Sequence, residues 1–149
     1  MKLVMFQDEG DPRLGCLDNE EVIDLNLACE AMLASLNDPR PRAKAELLVP
    51  PETIAFLEGG DESRHTARDC LQWLGDQQKE SLTVRRTPVV RPRAQIRLLA
   101  PVLKPAKIRC VAPNYHDFLE ELCMQPHPEP RIVANFALTV AADEDRIPR

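Results

Sequence analysis

Fourteen prolines stand against only five glycines in this 149-residue sequence, and that ratio limits what it can fold into. Proline lacks an amide hydrogen and fixes φ near −65°, so it ends helices and disrupts sheet interiors. It also keeps the residue before it out of the helical region. Pro88, Pro92, Pro101 and Pro105 therefore cut the middle of the chain into short extended pieces. A long-helix bundle is excluded, and many short elements are expected. The 44% hydrophobic content is still enough to build a core, which excludes a wholly disordered chain.

Before those prolines the pattern is that of a small mixed domain. Lys2 to Phe6, Leu14 to Leu17 and Glu21 to Leu25 are short apolar-rich runs. Glu9-Gly10-Asp11-Pro12 and Asp18-Asn19-Glu20 separate them, which predicts an antiparallel meander. From Asp24 the period changes. Leu25, Cys29, Met32 and Leu36 recur at helical spacing, with Asp24 or Asn26 as cap and Asn37-Asp38-Pro39 as stop. A Pro- and Arg-rich connector leads to Pro51. Pro51-Glu52 suits a first helical turn, and Gly59-Gly60 suits its end. Ser63 is the expected cap of a further helix, with Ala67, Cys70, Leu71 and Leu74 inward and Gly75 at its end. His65 falls on that helix's exposed side.

The chemistry shifts after residue 80. Between Ser81 and His116 there is no Asp or Glu, while eight of the nineteen Lys and Arg lie there. The rest of the chain carries the other eleven against all twenty-four acids, so a net charge of −5 conceals a polarised molecule. That balance excludes a globally basic nucleic-acid-coating protein. The basic stretch also lacks the interleaved aromatics that stack on bases, so no nucleic-acid partner is expected. Some of its arginines should instead pair with the acidic first domain. Ala94 to Leu99 and Lys107 to Val111 are its strand candidates, and Cys110 falls at a position expected to be buried.

No run approaches the ~20 apolar residues of a membrane span, and the apolar start is too short for a signal-peptide core. Five cysteines with no CxxC pair suggest reduced thiols and a cytoplasmic setting. The expected architecture is α+β, a small antiparallel meander with helices over 1–80. A basic Pro-rich linker or strand follows over 81–97, and a β-rich region begins at 98 and runs to 149.

The most specific string is Leu98-Leu99-Ala100-Pro101-Val102, continuing through Lys107-Ile108-Arg109-Cys110-Val111 to Asn114-Tyr115. It resembles the entry into the fumarylacetoacetate hydrolase family fold. The meander and the later Pro128-Glu129-Pro130 and Asn135-Phe136-Ala137 are similar in order. The resemblance covers residues 1 to about 147. It implies that 98–149 is the start of a fumarylacetoacetate hydrolase-like catalytic domain whose further strands and acidic cluster lie beyond residue 149. It also implies metal-assisted hydrolysis, decarboxylation or isomerisation of a small anionic keto-acid. Carboxylates would hold Mg²⁺, Mn²⁺ or Ca²⁺, and a His–Glu pair would move the proton.

Residue by residue, the resemblance assigns substrate contacts to Asn114 and Tyr115, a metal ligand to Asp117 and the catalytic carboxylate to Glu121. Where most members have the paired His, this chain has Phe118, and His116 lies two residues earlier, about 200° around a helix. In the branch with Asp-Tyr-x-Asp-Phe, Asp117 and Phe118 fit, but the His expected seven residues on is Met124. A Gly before Asn-Tyr is replaced by Ala112-Pro113, a Lys near Asn135 is absent, and a Gly-Pro-x-Asp turn becomes Ala142-Asp143-Glu144-Asp145. The expectation is a chain that binds no metal and is inactive on its own. The alternative is a non-catalytic module that dimerises or docks on a separate catalytic chain. His127, between two prolines, reads as part of an extended connector.

Overall fold

The N-terminal meander forms where the turn residues place it. The computed structural model describes residues 1–142 and 145–147, apart from the Glu80 side chain. In it β1 (Lys2–Gln7), β2 (Arg13–Asp18) and β3 (Glu21–Asp24) pair antiparallel, with Val4 opposite Gly15 and Cys16 opposite Ile23. Asp24 then caps α1 (Leu25–Ser35), its carboxylate accepting from the Leu27 N–H at 3.0 Å. The first six residues of α1 are all buried, whereas Leu36, the expected end of its stripe, is exposed. The connector contains a helix that the sequence reading passed over, α2 (Pro41–Leu48), with proline at its first position.

Next come α3 (Thr53–Glu58), capped by Glu52, and α4 (Gly60–Gly75). Ser63 is therefore not the cap expected of it. Helix α4 starts three residues earlier, and Ser63 is buried inside its first turn. Ala67, Cys70 and Leu74 do turn inward.

The basic stretch folds onto this domain. A hairpin joins β4 (Thr83–Val84) to β5 (Thr87–Pro88) through Arg85 and Arg86. Then β6 (Val90–Pro92) pairs with β3, and β7 (Arg97–Leu99) pairs with β1. The result is one antiparallel sheet in the order β6-β3-β2-β1-β7. The strand expected from Ala94 is half as long, because Arg93–Gln95 form a 3₁₀ turn. Phe6, Val22 and Ile96 pack together with Val4, Leu17 and Leu98. Met5 and Phe6 point to opposite faces yet are both buried, so the sheet centre is covered on both sides. Gly15 is obligatory there, since a Cβ would lie 2.8 Å from Val22 and 2.9 Å from the Ile23 carbonyl oxygen.

The arginines pair with acids of the first domain as expected. Arg85 meets Glu30 at 3.0 Å, and Arg91 meets Asp8 at 2.7 Å while lying over the Phe6 ring. Arg13 forks onto the fully buried Asp24. Partial burial opposes ionisation of Asp8, but the Gly10 N–H and Arg91 outweigh it and hold its carboxyl below the ordinary range. Between α1 and α4, Cys29 and Cys70 are fully buried and hydrogen-bonded. That bond, reinforced by burial, holds the Cys70 thiol far above its usual range.

The chain divides into two units. The first holds Met1–Val102 and the described residues from Ala142 on; the second is Leu103–Ala141. The second unit contains β8 (Ile108–Val111), α5 (His116–Glu121) and β9 (Ile132–Asn135). Among the described residues, β8 and β9 form a ribbon with no third strand. Cys110 is exposed on it, against expectation, because no layer among the described residues covers that position. Of the 142–145 turn position, Asp143 and Glu144 lie outside the described residues. Among the described residues no helix is long and apolar enough to cross a membrane.

Candidate functional site

The ladder of β8 and β9 pairs Ile108 with Asn135 and Val111 with Ile132. One further bond, from the Ala112 N–H to the Arg131 carbonyl oxygen at 3.1 Å, closes the segment between the strands into a loop. A cleft of about 290 Å³ lies within that loop, near the lower end of the roughly 300–1,000 Å³ usual for small-molecule sites.

Asn114, Tyr115 and His116 line the cleft from the start of the loop. His127, Glu129 and Arg131 line it from the end. His127 Nδ1 lies 2.9 Å from the Glu129 carbonyl oxygen and 3.2 Å from the Glu129 N–H, donating to the first in one tautomer and accepting from the second in the other. The wall thus combines three hydrogen-bonding side chains of the Asn-Tyr-His string with a second imidazole, a carboxylate and a guanidinium. His127, Glu129 and Arg131 are residues the sequence reading did not place here. The signal was the apolar Ile132-Val133-Ala134, which marks a strand able to fold back on Ile108–Val111.

Asp117 and Glu121 are not among the cleft's walls. Asp117 sits in the first turn of α5, where negative charge is favoured, and its carboxylate accepts from the Phe118 N–H at 2.8 Å. Glu121 lies at the helix end, five residues from His116 and so about 140° around the axis. Phe118 is half-exposed on the same helix. The structure therefore brings Asn114, Tyr115 and His116 together and leaves the assigned ligand and base outside that group.

No group of three or more His, Cys, Asp or Glu side chains among the described residues converges to hold a metal ion. Magnesium takes a near-octahedral shell and calcium six to eight oxygens. One Asp in the first turn of a short helix and its neighbours do not fit either.

Comparison with known proteins bears on the same residues. The chain is 32% identical to a Xenopus laevis protein named oxaloacetate tautomerase fahd2, mitochondrial, over 99% of its own length. By descent, this chain belongs to the fumarylacetoacetate hydrolase family. Two other family proteins carry related names. Oxaloacetate tautomerase FAHD2A, mitochondrial, of Bos taurus is 30% identical over 99% of the chain. The Homo sapiens protein of that name is 32% identical over 65% of it. Aligned with the first two relatives, the chain spans only 38% of their length. No family model matches the sequence.

Proposed function

We propose that this chain carries the substrate-contacting part of an oxaloacetate tautomerase-like site and turns nothing over by itself. One observation supports the reading above the rest. Asn114, Tyr115 and His116 share a cleft with His127 and Arg131, while Asp117 and Glu121 are absent from its walls. Arg131 suits a small dicarboxylate. Either imidazole is a side chain able to give or take a proton. What the cleft lacks is the carboxylate cage that the family resemblance calls for, and no proton transfer through a metal is assigned to it. On this reading β8 and β9 are the first strands of a fumarylacetoacetate hydrolase-like domain, and the missing carboxylates come from other polypeptide. Five free thiols fit a reducing compartment such as the cytoplasm.

The test follows the enol absorbance of oxaloacetate with the purified chain, in Mn²⁺, in Mg²⁺ and in EDTA. The expected decay matches buffer under all three conditions. Acceleration that EDTA abolishes would contradict the proposal. A second reading, a non-catalytic or dimerising module, is favoured by the near-absence of buried side chains in Leu103–Ala141.

A further inference from the structure

A second cleft, of about 620 Å³, lies within the first unit and shares no wall with the 112–131 loop. Arg13, Arg85, Arg86 and Arg91 line it, together with Asp8, Glu9 and Asp11 of the β1–β2 turn. Most of these charges are already spent. Arg91 Nε donates to Asp8 at 2.7 Å, Arg85 donates to Glu30 at 3.0 Å, and Arg13 forks onto Asp24. Left over are Arg86 on one turn and Glu9 and Asp11 on the other, all exposed and without an ion-pair partner among the described residues.

Exposed charges alone need no ligand, because water satisfies them. Arg91 is different. Its side chain is only 7% exposed, and its Nη1 is buried with no acceptor. Asp24 Oδ2 lies 4.0 Å away, beyond hydrogen-bond reach. Both Asp24 oxygens are in any case taken by Arg13 and the Leu27 N–H. An unfilled buried donor is costly, and this one belongs to a guanidinium on the cleft wall. The β4–β5 turn carries a further cost. Arg85 and Arg86 hold φ at 52° and 69°, where glycine would relieve the backbone but take a guanidinium from the cleft.

The leftover charges select the occupant. A simple anion would meet Arg86 and Arg91 but also Glu9 and Asp11, and a simple cation would meet the reverse conflict. A polypeptide terminus brings only one of the two signs. A small molecule with a carboxylate at one end and an ammonium group at the other satisfies both turns. Its carboxylate matches the guanidinium fork, and Leu27 and Pro88 offer apolar wall to its carbon chain. We propose that this cleft binds a free α-amino acid, with its carboxylate on Arg86 and Arg91 and its ammonium group on Glu9 and Asp11.

The test titrates the 149-residue chain with each protein-forming α-amino acid singly, by calorimetry and NMR, with succinate and butylamine as single-sign controls. The expected result is one-site binding of at least one amino acid, shifting the amides of Gly10, Arg86 and Thr87 and the Nε–H of Arg91. Succinate and butylamine should bind more weakly by about tenfold or more. Arg86→Gln should weaken binding by about tenfold or more, and so should Glu9→Gln combined with Asp11→Asn. All three positions are exposed, so unit 1 should stay folded in either variant. Binding of no amino acid would overturn the proposal. Equal binding of succinate would do so by marking an anion site, and equal binding of butylamine by marking a cation site. Binding indifferent to either variant, or shifts confined to the 112–131 loop, would overturn it as well.

Discussion

Residues 1–102 and residues 103–141 were built from similar ingredients and reach opposite outcomes. The first region has nineteen of the twenty buried apolar residues, a five-stranded sheet and four helices. The second has strands and a helix of normal sequence and almost no interior. Apolar side chains stabilise only when there is something to bury them against. Val133 and Val22 are chemically the same, but Val22 lies beneath Phe6 and Ile96, and Val133 faces solvent. Sequence content alone does not make a core; a second layer does.

The largest expected difference between the regions is in thiol chemistry. Cys16, Cys29 and Cys70 are buried in the first, whereas Cys110 and Cys123 are exposed in the second. Native protein should react with two equivalents of a thiol reagent at once. The other three should follow only through unfolding, on the order of 10³-fold slower or more. Rapid reaction of Cys29 or Cys70, read by peptide mass mapping, would break the contrast.

Large-to-small substitutions sharpen it next. Phe56→Ala removes a fully buried ring and should lower unit 1 stability by about 3–5 kcal/mol in urea denaturation. Phe136→Ala, at an exposed ring, should change it by less than about 0.5 kcal/mol. Gly15→Ala should cost about 1–3 kcal/mol, because the Val22 side chain and the Ile23 carbonyl oxygen leave no room for a methyl group. An effect of the opposite sign is expected at the β4–β5 turn. Arg85 and Arg86 both sit at positive φ, 52° and 69°, the geometry of a two-residue hairpin that favours Asn-Gly. Arg86→Gly should raise stability by about 0.5–1 kcal/mol in thermal melting.

That turn also explains part of what the sequence withheld. The meander and α1 were legible because Gly10, Pro12 and Asn19 break the strands and Asp24 offers a side-chain cap. The β4–β5 hairpin was not, since Arg-Arg carries no turn signal and its geometry is imposed by Glu30 and the pairing around it. Helix α2 was hidden by its prolines, although Pro41 stands where proline is tolerated in a helix. In the candidate site, Asn114, Tyr115 and His116 could be read as a string. The approach of His127 could not, because it depends on β9 returning to β8 across some twenty residues. Cys110 misled for the converse reason: strand position suggests burial, and only the layer above decides it.

Residue-resolved hydrogen exchange on the isolated chain is the most direct check on the contrast between a self-sufficient region and one that needs covering. Amides of Met5, Leu14, Leu27 and Phe56 should be protected on the order of 10³-fold or more, and those of Ile108–Val111 and Ile132–Asn135 should exchange near the rate of an open chain. Equal protection in the two regions of a monomeric sample would contradict the account.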